Sequence, residues 1–201
     1  MNNQTYSTIF FDWGGVIAND PGDEFLGQLL QSIGANESQV KEIFDTYIKR
    51  FMRGELSESE YWRELANKYG FTIPDSISEE FKQWSGLAAN PEILTLVKEA
   101  KIRGMKVAVL SNVIEPTYNV IEAAGYYNLF DDVIASCKVG HAKPEQEIYI
   151  EALNRFGVTA KESIFIDDKQ MCLDPAAEIG FKTILARSPD QIVQDVRSII
   201  L

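Results

Sequence analysis

The chain has 201 residues, 45% of them hydrophobic, enough for one large domain or for a core domain carrying a smaller inserted one. Lys and Arg total 19 against 30 Asp and Glu, and the formal net charge of -11 repels nucleic-acid phosphates and anionic membranes, which excludes both as expected partners. No basic N-terminal stretch leads into an apolar segment, no run approaches the ~20 apolar residues of a bilayer span, and a soluble cytoplasmic protein is expected.

Two cysteines, Cys137 and Cys172, and a single histidine, His141, leave no His-rich or Cys-rich metal site. Any metal must therefore be held by oxygen ligands.

The first strong signal is TIFFDWGGVI, residues 8–17. An apolar run through Ile9, Phe10 and Phe11 stops at Asp12, and Gly14 and Gly15 follow. A buried strand that ends on a carboxylate points that carboxylate into the crevice where open α/β sheets bind ligands, and the glycines let backbone approach a ligand closely. An aspartate so placed can attack a phosphoryl group.

From residue 17 the periodicity is helical, with no comparable strand signal before Lys106. Val40, Ile43, Phe44, Tyr47, Ile48 and Phe51 share one helical face behind Asn36, an N-cap with Gln39 three residues on. Ser57 and Glu60 form a second capping box ahead of Trp62, Leu65, Ala66 and Tyr69, and Ile77, Phe81 and Trp84 mark a further short helix. The turn Met52–Leu56 between two of these helices is expected to face a site.

Asn90 and Pro91 open a helix that Gly104 closes, and alternation of helices with short apolar runs begins. Val107–Leu110, Val133–Ala135, Ile164–Ile166 and Thr183–Leu185 read as strands covered on both faces, separated by helices that end at Gly125, Gly157 and Gly180. Ser188 and Pro189 open the last helix. A parallel sheet follows from this pattern.

Three strands end in polar residues. After VAVL come Ser111 and Asn112, able to offer a hydroxyl, an amide and backbone N–H groups to phosphate oxygens. After IFI come Asp167 and Asp168, two acids where burial is costly unless a cation or hydrogen bonds compensate, a donor set that suits Mg²⁺. Lys143, just ahead of Pro144 at an expected helix start, can bring an ammonium to Asp12, Asp167 and Asp168.

Taken together, FFDWGGVI, LSN, KPE and FIDDKQ appear in the order of the four motifs of the haloacid dehalogenase superfamily, which the chain resembles from Ile9 to Gly180, helical insertion included. Within it the look is most similar to the small sugar-phosphate and glucose-1-phosphatase-like phosphatases. The resemblance implies a doubly wound α/β core of residues 1–16 and 89–201 and a helical cap of residues 17–88. It also implies a Mg²⁺-dependent phosphatase for a small phosphorylated metabolite. Asp12 would be the nucleophile, Ser111 and Asn112 would hold phosphate, and Lys143 would neutralise charge and contact phosphate. Asp12, the Gly14 carbonyl and Asp168, backed by Asp167, would hold the metal. Trp13, Arg53 and Glu55 are the expected readers of substrate, and no obligate protein partner is implied.

One departure bears on chemistry. Gly14 stands where most phosphatases of the family carry a second aspartate, so the general acid and base worth typically ~10²–10⁴-fold is missing, with His141 a candidate substitute. Cys172 stands where many relatives have asparagine. Two rival readings are a metal-independent 2-haloacid dehalogenase, which would not need Asp167 and Asp168, and a catalytically weakened phosphate-binding module, which would not need Asp12 and Lys143.

Overall fold

The computed structural model describes residues 6–19, 22–83 and 88–200. Strand β1 (Thr8–Phe11) is followed by five helical pieces: α1 (Gly22–Ser32), α2 (Glu37–Glu42), α3 (Lys49–Met52), α4 (Glu58–Tyr69) and α5 (Ile77–Gln83). Then come α6 (Pro91–Ile102), β2 (Lys106–Ser111), α7 (Glu115–Ala123), β3 (Asp132–Ala135), α8 (Ser136–Val139), α9 (Gln146–Phe156), β4 (Ser163–Asp167), α10 (Gln170–Ile179), β5 (Lys182–Leu185) and α11 (Pro189–Ile200). Trp84, expected on the short helix, lies outside the described residues.

All strand pairs are parallel, in the order β3-β2-β1-β4-β5. The chain winds outward from β1 through β2 to β3 and then returns to the other side of β1 for β4 and β5, so the direction reverses between β1 and β4. Ligand crevices form at that reversal, beyond the carboxyl ends of the strands.

The apolar runs explain the layers. Ile9 and Phe11, Val107 and Val109, and Ile164 and Ile166 all pack into one buried cluster with α6 and α11. Their alternate neighbours Phe10, Ala108, Leu110 and Phe165 pack into another with α9 and α10. Period-2 side chains with both faces covered leave no room for a polar face, which is why these strands read as continuous hydrophobic runs.

A third cluster, Leu26, Leu30, Ile43, Phe51, Tyr61 and Leu65 among others, is built by the helices after β1 and reaches Ile114 beyond β2. Both expected capping boxes are present, Asn36 with Gln39 and Ser57 with Glu60. Ile17 and Ala18, expected in the insertion, instead pack with the sheet cluster, where Ala18 bridges Gly14 and Ala89 and the Asn90 N–H bonds the Ile17 carbonyl at 2.7 Å.

Between α2 and α3 the helix widens into a π-helical turn, Ile43–Ile48. In an α-helix residues four apart drift by about 40° per step, and a wider turn reverses that drift. Two rows therefore stay in line. Ile43, Tyr47 and Phe51 bury in the helical cluster, while Phe44, Ile48 and Met52 line the cavity beneath.

The turn after α3 docks on the sheet domain. Gly54 has φ +69°, and a Cβ there would run into the carbonyl oxygen of Cys137 in α8. Gly70, the left-handed cap of α4, has φ +74° and open space around it. Gly54→Ala should therefore destabilise the fold by roughly 1–3 kcal/mol more than Gly70→Ala, measured by urea unfolding of both variants, because only the first adds a clash to the backbone strain. Equal losses would mean that the Gly54 turn does not sit against Cys137.

Candidate active site

Strands β1, β2 and β4 deliver their terminal residues to one point. Asp12 is buried at the end of β1, its backbone N–H bonded to the Ile166 carbonyl at 2.9 Å. Its Oδ1 accepts the Trp13 N–H at 2.7 Å, and the nearby Ser111 side chain favours its charged form. Lys143, only 5% exposed, lies with Nζ 3.0 Å from Asp12 Oδ2 and 2.6 Å from Asp167 Oδ2.

Asp167 is fully buried, and its other oxygen, Oδ1, accepts the Lys169 N–H at 2.8 Å. It is thereby the residue that anchors the lysine and shapes the turn into α10. The ammonium needs both carboxylates. Burial alone would pull Lys143 down, but Asp12 and Asp167 override it and hold the group charged above the ordinary lysine range.

Burial pushes the Asp12 carboxyl up, opposed by Lys143 and Ser111 and reinforced by Asp167. Asp168 is pushed up as well, first by burial and then by Asp12. Two carboxylates held above their ordinary range in one site call for more positive charge than Lys143 supplies.

The donors fit a hard divalent cation. Asp12, Asp167 and Asp168 can each present an oxygen within 4.8 Å of the others, and Asp168 Oδ1 is buried without a hydrogen-bond partner. Cys172, buried beside them, is pushed up to about 12 by burial and so offers a neutral thiol rather than a soft thiolate. The second glycine has a reason beyond a turn. A Cβ on Gly15, at φ +73°, would stand 2.5 Å from Asp168 Cγ, so glycine is what leaves Asp168 its place.

Asn112 is placed differently from a simple phosphate amide. Its Nδ2 donates to the Lys143 carbonyl at 2.8 Å and its Oδ1 accepts the Lys143 N–H at 2.7 Å. One N–H of the amide and its oxygen hold the lysine segment, and what Asn112 can still offer an anion is its second amide N–H and its backbone N–H. The helix after this segment starts at Gln146 rather than at Pro144, since Glu145 is extended and its carboxylate accepts the Ala142 N–H at 3.0 Å.

A cavity of about 580 Å³ opens above these residues. Asp12, Gly14, Ser111, Asn112, Lys143 and Cys172 lie on its floor side, and Phe44, Ile48, Lys49, Met52 and Arg53 reach it from the helices. Trp13 and Arg53 are both in the lining, and Glu55 is not. The left-handed turn at Gly54 carries Glu55 outward, where it sits 3.6 Å from Arg50 and 3.9 Å from Arg53.

Arg53 instead pairs with Glu145, a partner that sequence reading missed because 92 residues separate them. The hydrogen bond from Arg53 holds the Glu145 carboxyl below its usual range. His141 is outside the lining, 47% exposed, with Nδ1 3.9 Å from Glu145 Oε2. Both cysteines are free thiols.

The sequence pattern of the haloacid dehalogenase-like hydrolases matches residues 6–180. The chain is 26% identical to the sesquiterpene phosphatase astK of Aspergillus oryzae over 86% of its own length and 82% of that protein's. It is 23% identical to mouse acyl-CoA dehydrogenase family member 10 over 98% of its length, but spans only 19% of that longer protein. Among solved structures, a predicted HAD-like family hydrolase from Porphyromonas gingivalis superposes with a TM-score of 0.81 at 21% identity, covering 98% of both chains. The HAD family enzyme BT-2542 of Bacteroides thetaiotaomicron, in complex with magnesium and inorganic phosphate, gives 0.75 at 22% identity over 91% of this chain and 96% of that one.

Removal of the central cation tests the electrostatic account. Lys143→Met leaves Asp12 and Asp167 buried without their counter-charge, and should cost about 3–5 kcal/mol at neutral pH in urea unfolding. The deficit relative to the parent should shrink as pH falls. Without the lysine, the folded-state pKa of Asp12 rises further above its unfolded value, so the native state binds more protons and gains stability on acidification. A deficit that is constant or grows towards low pH would contradict the arrangement.

Proposed function

Since this chain belongs to the haloacid dehalogenase-like hydrolases, we propose that it is a Mg²⁺-dependent phosphatase of a small phosphorylated metabolite, working through an aspartyl-phosphate on Asp12. One observation carries the reading. Asp12 lies at the floor of a ligand-sized cavity, braced by Ser111 and Lys143, beside an Asp168 oxygen that has no hydrogen-bond partner. The phosphatase among its relatives and the magnesium and phosphate held by BT-2542 support it.

Asp12, Asp168 and the Gly14 carbonyl would hold the metal, with Asp167 behind them. When bound, the ion supplies positive charge to the transferring phosphoryl group and to the carboxylates around it. The Ser111 hydroxyl, the Asn112 backbone N–H and the Lys143 ammonium bind phosphate oxygens. An Asp12 carboxylate oxygen attacks phosphorus, the ester P–O bond breaks, and the alcohol oxygen leaves with the electron pair. Water then cleaves the aspartyl-phosphate and returns Asp12 with inorganic phosphate. Lys143 stays beside Asp12 throughout and keeps the site from accumulating unbalanced negative charge.

The departing oxygen gets little help. Gly14 carries no acid, Glu145 is held ionised by Arg53, and His141 is outside the cavity lining. Substrates whose leaving group needs little protonation, such as aryl or acyl phosphates, should lose least by this absence. Trp13 and Arg53, from opposite sides of the cavity, are the proposed selectors.

Hydrolysis of an aryl phosphate should stop with a chelator and return with Mg²⁺, and Asp12→Asn should lower kcat by at least about 10³-fold. Full turnover in excess chelator would refute the metal role. Gly14→Asp should raise kcat on primary-alkyl phosphates by about 10-fold or more while leaving aryl phosphates within a factor of about three, since only the alkyl esters await a proton. Stopped-flow or rapid-quench kinetics on both proteins separates the steps, and equal parent rates on alkyl and aryl esters without a product burst would rule out the missing acid as the limit.

A further inference from the structure

The cavity is far larger than a phosphate needs, and its volume of about 580 Å³ falls in the range of ~300–1,000 Å³ that houses a whole small ligand. What faces the part of the substrate beyond phosphorus is mostly hydrocarbon. Phe44, Ile48 and Met52 form a row from the helices, and Trp13, Val113 and Ile114 form the facing wall from the sheet domain. Ile48, Trp13, Val113 and Ile114 are each less than 10% exposed, so these are packed surfaces rather than mobile chains that could swing away to admit water.

Asn19, Lys49, Arg53, Thr117 and Lys169 also line the cavity, but its surface is mainly apolar. Arg53 is paired with Glu145, and Lys49 is exposed with Nζ 3.8 Å from Asp45. Trp13 Nε1 and Thr117 Oγ1 are buried and lack hydrogen-bond partners. A sugar would bring several hydroxyls into this wall, and each one buried without a partner weakens binding, whereas each methylene buried strengthens it.

We infer that the substrate of this site is the monophosphate of an apolar organic body, with its phosphate on Asp12 and its hydrocarbon part against Phe44, Ile48 and Met52, rather than a sugar phosphate. The inference rests on the phosphatase reading above and names the class of substrate for it. The widened helical turn is part of the same device, because it brings Phe44, Ile48 and Met52 into one line over the cavity.

The test is a series of 4-alkylphenyl phosphates, assayed with Mg²⁺ on the intact protein, in which the leaving oxygen stays chemically constant while the alkyl chain lengthens. The expected kcat/KM rises about threefold to fourfold per methylene until the cavity is filled, and the longer members exceed glucose 1-phosphate and ribose 5-phosphate. In Met52→Gln, whose side chain is half-buried and nearly isosteric, and independently in Phe44→Ala, the rise per methylene should flatten, so that the loss in kcat/KM relative to the parent grows with the length of the alkyl chain. A flat series in the parent, or sugar phosphates turned over faster, would overturn the inference while phenyl phosphate hydrolysis kept the phosphatase reading standing. An unchanged slope in both variants would take the hydrocarbon off this wall and overturn it as well. Failure to hydrolyse any phosphate, phenyl phosphate included, would overturn the parent reading and this one with it.

Discussion

The arrangement depends on one buried ammonium held between two buried carboxylates. Lys143 Nζ touches Asp12 and Asp167 at 3.0 and 2.6 Å in a place where all three side chains are nearly shut off from solvent. Taking such charges out of water costs several kcal/mol per ion, and the pairing recovers this only because geometry is good and the spare lone pairs are used. They are: Trp13 N–H binds Asp12, and Lys169 N–H binds Asp167. The same groups that make the burial tolerable aim the free face of Asp12 at the cavity.

The lysine has to arrive from a segment that belongs to no strand of the sheet, and Asn112 solves that problem. Its amide grips both the N–H and the carbonyl of Lys143, tying the segment before α9 to the end of β2. A residue that looked like a ligand for phosphate is thus foremost a clamp on the backbone of Lys143. Gly15 acts in the same economy of space by leaving Asp168 room where any side chain would displace it.

Two further contacts tie the helices to the floor of the site. Gly54 lets the turn after α3 meet the Cys137 carbonyl, and Arg53 beside it reaches Glu145, two residues beyond Lys143. The helical wall of the cavity and the lysine that balances Asp12 are therefore linked through a few residues. The ion pair is partly exposed, and its direct contribution to stability is on the order of 1 kcal/mol or less. Its weight lies in position, since it fixes where the row of Phe44, Ile48 and Met52 stands over the cavity.

By itself the sequence determined the sheet and its chemical ends. Apolar runs stopped by Asp12, by Ser111 and Asn112, and by Asp167 and Asp168 are legible because a strand covered on both faces must be hydrophobic throughout, so a polar interruption marks where it leaves the core. The caps of α2, α4 and α6 were legible for a similar reason, each being set by residues two or three apart. What only the tertiary structure decided are the relations between residues distant in the chain: Arg53 with Glu145, Asn112 with Lys143, Gly15 with Asp168, and the exclusion of Glu55 and His141 from the cavity. The widened turn at Ile43–Ile48 belongs with them, because an apolar face at helical spacing suits an α-turn and a π-turn alike, and packing against two surfaces at once selects between them. Local pattern fixes which residues leave the core, but which of them meet depends on long-range closure of the chain, to which spacing carries no clue.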